Sequence, residues 1–318
     1  MRKSIMLTIN EKSTSILSFI QFQKEENIFS IDLLTKIIAL IIMVQPKTFV
    51  RKTVIIGSKG AYPEEGSQCK VKVLNLTLNE QTPKSNWIQG EGVYSVIIGE
   101  ASCVFDISFE YSLTCMNKGE TSVLELRFND HTCQITAQLL EFTQGVPFFS
   151  LNISKRLELA IQHKTVGVDL FKNSLVKEAF HRFSKSIKYI ISLRGTDTYS
   201  EEVNSLYYSV CNNIALCQLQ FHNYEHAIAL CDKVLSSYPI NVKALFRRAE
   251  ARTKLKVFDR AADDLKKVIS LEPQNKLARK KLEFVEKELN KQEENYNLRV
   301  SFSFGMLLVF QIRRDNYG

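Results

Sequence analysis

The segment CDKVLSSYPINVKALFRRAEA, from Cys231 to Ala251, is echoed by ADDLKKVISLEPQNKLA, from Ala262 to Ala278. Each contains one proline, Pro239 and Pro273, and the two are 34 residues apart. The same shift maps Ala215 onto Ala249, Tyr224 onto Phe258, Ala227 onto Ala261, Cys231 onto Leu265 and Val234 onto Val268. Small falls on small and apolar on apolar, which marks a repeated structural unit. From about Lys155 onward apolar residues recur at spacings of three and four, so each unit is a pair of helices. The alanines are small where two helices approach closely, and proline ends the second helix because it cannot continue the hydrogen-bond ladder.

This pattern resembles the tetratricopeptide repeat. An earlier unit fits the same template, with Gly167 and Ala179 at the two small positions and Phe183 one turn on; Gly167 to Ala179 is twelve residues, as is Ala215 to Ala227. The first and second units are 48 residues apart rather than 34, and LRGTDTYSEEVN, Leu193 to Asn204, supplies most of the fourteen inserted residues. After Pro273, the charged amphipathic run from Asn275 to Asn295 is expected to be the solvating helix that closes such an array.

The run NVKALFRRAEARTKL, Asn241 to Leu255, carries Lys243, Arg247, Arg248, Arg252 and Lys254 over three turns. Lys243 and Arg247, four apart, share a helical face. Together with Lys164 and Asn213 they resemble the two-carboxylate clamp of chaperone-binding tetratricopeptide domains, which grip a C-terminal Glu-Glu-Val-Asp peptide. The intervals agree: 30 residues from Asn213 to Lys243 and four more to Arg247, with Lys164 in register once the insertion is removed. A terminal aspartate presents two carboxylates, and Lys, Arg and Asn are donors able to satisfy them. Val168 stands where the family usually has a second asparagine. Arg248 and Arg252 fall off that face and are expected to be surface or helix-packing charges.

The first half reads as short strands: FVRKTVIIG, QCKVKVLNLTLN, YSVIIG, TSVLELRF and CQITAQLLEF, between Phe49 and Phe142. In the second, Cys69, Val71 and Val73 alternate inward before the apolar set moves to Leu74, Leu76 and Leu78, a change of phase that predicts a bulge. The order VIIGSKGAYPEEGSQCKVKV, then SLTCMNKGETSVLEL, resembles the FKBP-type peptidyl-prolyl isomerase fold, a curved antiparallel sheet wrapped across a short helix. That resemblance implies a proline pocket whose aromatic residues are missing here. Val73 takes the place of the tyrosine, EQTPKSNW (Glu80 to Trp87) that of the Phe-Asp pair, and Phe109 that of the tryptophan floor. The tyrosine-bearing loop is cut to Asn129–Thr132. A catalytically dead domain is expected. His131, in a tight turn without a candidate nucleophile, reads as a solvated turn residue, and Trp87 is expected to pack against the sheet.

The 318 residues, 45% hydrophobic and 24% charged, describe an ordinary globular chain, and the net charge of +8 favours acidic partners. No zinc spacing, phosphate loop or nucleophile elbow occurs, so neither metal nor cofactor is expected. The arginines lack the motifs of nucleic-acid binding. The seven scattered cysteines read as reduced thiols of a cytoplasmic protein, with the nucleus also open to it, and the sequons at Asn75 and Asn152 as idle. The N-terminus lacks an apolar signal core, and Ile37–Val44 and Val300–Ile312 fall short of a membrane span.

The expected organisation is an extension of unassigned role (1–45), a degenerate FKBP-like α+β domain (46–145), a linker (146–156), an all-α solenoid of three tetratricopeptide repeats with a capping helix (157–296) and a tail (297–318). The combination resembles the FKBP-like immunophilin family. It implies a non-catalytic co-chaperone that binds the tail of a cytosolic heat-shock chaperone, foremost the ninety-kilodalton one, through Lys164, Asn213, Lys243 and Arg247. Residues 46–145 would engage a client. The alternatives are a residual prolyl isomerase and a scaffold anchored to a membrane through Val300–Ile312.

Overall fold

The computed structural model describes residues 4–7, 49–57, 59–77, 84–128, 131–147, 150–193 and 200–317. The Ile37–Val44 segment, part of the Leu193–Asn204 insertion, Leu78, Glu80–Pro83 and the residues Asn129–Asp130 lie outside them. The chain divides into two compact units, Met1–Val210 and Cys211–Gly318.

The first unit holds a six-stranded antiparallel sheet made of β1 (Ser4–Leu7), β2 (Phe49–Ile56), β3 (Gln68–Thr77), β4 (Gly92–Ile97), β5 (Thr121–Phe128) and β6 (His131–Thr143), in the order β1-β2-β5-β6-β3-β4. In β3 the side chains of Cys69, Val71 and Val73 point into the core. The ladder with β6 then passes from Val73↔Ala137 to Asn75↔Thr136, leaving Leu74 unpaired and exposed while Leu76 returns to the core. This is the bulge that the change of phase predicts; it bends the sheet, as bulges do. A second irregularity on the same pair skips Leu140 of β6. β1, from the segment that sequence patterning left unassigned, extends the sheet along β2.

Helix α1 (Val104–Leu113) packs Phe105, Phe109 and Leu113 into one cluster with Leu124, Leu126, Ile135 and Leu139 of the sheet. Phe105 stacks on Phe128 with ring centroids 5.8 Å apart. The Ser108 and Ser112 hydroxyls, also buried, donate to the carbonyls of Val104 and Ser108 on their own helix, 2.9 Å each. The Met116–Glu120 step turns through Gly119 at φ +81°, and Glu120 is buried against Lys52, 2.8 Å away. Burial pushes the Glu120 carboxyl pKa up, but hydrogen bonds from Lys52, Ser122 and the Asn117 backbone outweigh it and hold it below the usual value.

Helices α2 (Ile153–Lys172) and α3 (Val176–Ile191) complete this unit together with the start of α4 (Ser200–Gln220). The rest of α4 leads into α5 (Tyr224–Ser237), α6 (Val242–Lys254), α7 (Phe258–Leu271) and α8 (Lys276–Tyr317). The repeat is visible in the backbone. Ser174, His222 and Lys256 all take left-handed φ values of 60–63°, at spacings of 48 and 34 residues. At each turn the following amide reaches back to a carbonyl of the preceding helix: Leu175 to Leu170 (3.0 Å), Asn223 to Gln218 (2.9 Å) and Val257 to Arg252 (2.9 Å). These are Schellman closures, here without glycine. Ala179, Ala215, Ala227, Ala249 and Ala261 are fully buried. Gly167 faces the Phe183 ring so closely that a Cβ would stand 2.7 Å from it, which explains why this pair is Gly–Phe where the later repeats have Ala–Cys and Ala–Leu. Asn241 and Asn275 cap α6 and α8 identically, accepting from Ala244 and Ala278 amides at 3.0 Å. Thus α8 opens like a further first helix and then runs to Tyr317 rather than stopping near Asn295. Among the described residues, no helix is long and apolar enough to cross a membrane.

Candidate carboxylate-binding site

Helix α6 carries two basic faces. On one, Arg248 grips the buried Asp264 of α7 with two bonds (2.9 and 2.6 Å) and reaches Asp232 of α5 at 2.5 Å, while Arg252 shares Asp264 at 2.7 Å. Burial alone would lower the Arg248 pKa, but the bonds from Asp264 and Asp232 outweigh it and raise it. These arginines tie three helices together, as expected for helix-packing charges.

The other face holds Lys243 and Arg247. Arg247 donates through Nη1 to the Asn212 carbonyl of α4 at 2.8 Å, and burial pulls its guanidinium pKa down. The Asn212 amide in turn donates to Oδ1 of Asn241 at 3.3 Å, the atom that caps α6. Cap, helix start and α4 are therefore pinned to each other, which fixes where Arg247 stands. Lys243 is exposed and Asn213, adjacent to Asn212 on α4, is half-buried. Among the described residues, no carboxylate forms an ion pair with Lys243 or Arg247. Sequence reasoning missed the neighbours: Lys281 of α8 lies 5.0 Å over the Phe246 ring and 2.6 Å from Glu250. The one available signal was the repetition of Asn241 at Asn275.

Lys164 belongs to the first unit. It is half-buried on α2, one turn before the half-buried Val168, and has no carboxylate ion pair among the described residues.

Two residues that the isomerase resemblance puts at a proline pocket belong to the core. Val73 and Phe109 are enclosed, at 1% and 0% exposure. Trp87 packs on the same cluster, as expected, on a loop that Asp106 holds down: Ser85 Oγ and the Asn86 amide (2.9 Å) both donate to its carboxylate. β5 and β6 pair as far as Phe128↔His131, so only two residues join them. All seven cysteines are free. Burial pushes the thiols of Cys69, Cys217 and Cys231 up to about 12, far from the thiolate form that reacts.

An antiparallel sheet folded over one helix, followed by tetratricopeptide helix pairs, resembles the architecture of a repeat-bearing immunophilin. No family model matches the chain. It is 28% identical over 239 residues to the human FK506-binding protein-like protein, covering 74% of this chain and 64% of that one. It is 29% identical over 198 residues to rat peptidyl-prolyl cis-trans isomerase FKBP4, covering 60% of this chain and 41% of that one. A multi-domain immunophilin from Arabidopsis thaliana aligns over 69% of this chain and 93% of its own at 22% identity, with a TM-score of 0.36. The chain thus spans less than two thirds of the length of these curated relatives. The chain is similar to FKBP-like immunophilins with tetratricopeptide repeats.

Proposed function

We propose that this chain is a non-catalytic adaptor of the co-chaperone type, whose repeats take up the acidic C-terminal Glu-Glu-Val-Asp peptide of a cytosolic heat-shock chaperone, foremost the ninety-kilodalton one. The observation that carries this is the contrast on α6. Arg248 and Arg252 have internal carboxylates, whereas Lys243 and Arg247 stand without one among the described residues. A partly desolvated guanidinium that, among the described residues, bonds to a neutral carbonyl gains most from an external acid. Lys164, Lys243 and Arg247 would supply charge to the two carboxylates of the terminal aspartate, and Asn213 a neutral donor. The mechanism is tethering: the repeats hold the chaperone tail while residues 46–145 engage a client. The filled pocket around Val73 and Phe109 supports an inactive isomerase domain. Buried, unreactive thiols are in keeping with a cytoplasmic or nuclear address.

Calorimetric titration of the full chain with a peptide ending in Glu-Glu-Val-Asp tests this. Micromolar binding, on the order of −8 kcal/mol, is expected. Amidating the peptide terminus and Arg247→Ala should each weaken it at least about tenfold. Binding that ignores both changes would remove the clamp.

A further inference from the structure

A stack of helix pairs needs each end covered, because the outermost pair presents an apolar flank that no neighbouring repeat buries. At the carboxyl end α8 provides this cover, with Ala278 and Val285 fully buried. At the amino end no earlier helix pair of the array precedes α2 among the described residues, and yet α3 is the most enclosed of the second helices. Its buried residues, Ala179, Phe180, Arg182, Phe183, Ser186, Ile187, Tyr189 and Ile190 among them, cover more than one face, whereas in α5 burial is confined to Ala227, Leu230, Cys231, Val234 and Leu235.

One face of α3 is closed by α2, where Ser186 donates to the Ala160 carbonyl, and another by the sheet domain. Arg182, 3% exposed, donates through Nη2 to the Glu100 carbonyl and to Ser102 Oγ, both at 2.5 Å, and through Nη1 to the Glu100 carboxylate at 3.2 Å; His163 Nδ1 of α2 lies 3.0 Å from Nη1. Lys185 donates to the Gly99 carbonyl at 2.6 Å, and Lys188 to Glu65 at 2.6 Å. The three cations stand at intervals of three along α3, and all reach the loops flanking β3 and β4. A cavity of about 170 Å³ lies along the same junction, between Gly66, Ile97 and Val146 on one side and Leu159, His163 and Tyr189 on the other.

We propose that the isomerase-like fold is the amino-terminal cap of the repeat array, holding α2 and α3 as part of its own cooperative body. This role needs the Glu65, Gly99 and Glu100 loops and no proline pocket. A buried arginine with four polar neighbours from outside its own helix is costly to detach, because separation leaves the charge and the loop carbonyls unpaired. The sheet and the first helix pair therefore open together.

Hydrogen exchange of the full chain tests this with two small core changes. Ile135→Val in β6 should speed exchange of the slowest amides of β5 and β6 roughly two- to tenfold, and those of α2 and α3 by the same factor. In the Arg182→Met background the sheet should respond as before while α2 and α3 no longer follow. The proposal is overturned if α2 and α3 ignore Ile135→Val, or if they still follow it once Arg182 is gone. Both readouts are independent of peptide binding.

Discussion

Arg247 and Arg248 are consecutive in sequence and opposite in circumstance. Arg248 is closed: two bonds to Asp264 and one to Asp232 consume its guanidinium in joining α5, α6 and α7. Arg247 is open: it touches a neutral carbonyl of Asn212. The first unit repeats the contrast, with Arg182 buried among Glu100, Ser102 and His163 and Lys164 half-buried without an ion pair among the described residues. A cation whose charge is balanced inside the fold contributes to packing. One that the fold leaves unbalanced is available to an external anion. Net charge cannot separate the two; only the partner list can.

The sharpest way to break the comparison is to remove a closed partner. Asp264 is 1% exposed and serves both Arg248 and Arg252, so Asp264→Ala leaves Arg252 without a carboxylate and Arg248 with Asp232 alone. A loss of about 3 kcal/mol or more in urea unfolding is expected. Arg247→Ala should cost at most about 1.5 kcal/mol of stability, the worth of one hydrogen bond. Equal losses would mean that the two faces do not differ.

Much of this was legible beforehand, for reasons visible in particular residues. The 34-residue shift, the alanines and the two prolines are one-dimensional marks of close helix approach, and they survive in the left-handed turns at Ser174, His222 and Lys256. The bulge at Leu74 was legible because a slipped strand must change its inward face. Helix α1 was not legible from periodicity, since Asp106, Ser108 and Ser112 lie on its buried side, the serines bonded to their own helix and Asp106 to the Ser85–Asn86 loop. β1 has four residues and draws its meaning from β2. The closed state of Arg248 depends on Asp264, sixteen residues away on another helix, and no local pattern reports it. Nor does any local pattern report that Arg182, Lys185 and Lys188 answer to Gly99, Glu100 and Glu65.

The closed set of the first unit also predicts acid sensitivity. Burial, with Lys185 and Arg182 adding positive charge, holds the His163 pKa down to about 3 from an ordinary 6.5, while Lys188 and Glu65 also face it. Burial pushes the Glu65 pKa up, but Lys188 and Lys185 overcome this and bring it down to about 2 from 4.5. For both groups the unfolded chain binds a proton that the folded chain refuses, so stability falls as pH falls. His163 acts between about 6.5 and 3, at up to about 1.4 kcal/mol per pH unit, and Glu65 joins below 4.5. Thermal unfolding at pH 7 and pH 4.5 should differ by about 2 kcal/mol in this unit. His163→Gln should reduce the slope above pH 4.5 without abolishing it, because burial also holds the His181 pKa well below its ordinary value; an unchanged slope would assign the acid response to other groups.

The open set can be sharpened by completing it. Val168 is half-buried on α2, one turn after Lys164, where the clamp resemblance calls for a donor amide. A hydrogen bond to a charged group contributes roughly 1.5 kcal/mol or more, and asparagine and valine have nearly equal helix propensity. Val168→Asn should therefore tighten the Glu-Glu-Val-Asp peptide about tenfold while leaving stability nearly unchanged. The gain should vanish when the peptide terminus is amidated, because the new amide has work to do only if a terminal carboxylate lies beside it. Tighter binding that survives amidation would mean that the peptide passes α2 without engaging Lys164 through its terminus, and Lys164, Asn213, Lys243 and Arg247 would then not act as one clamp.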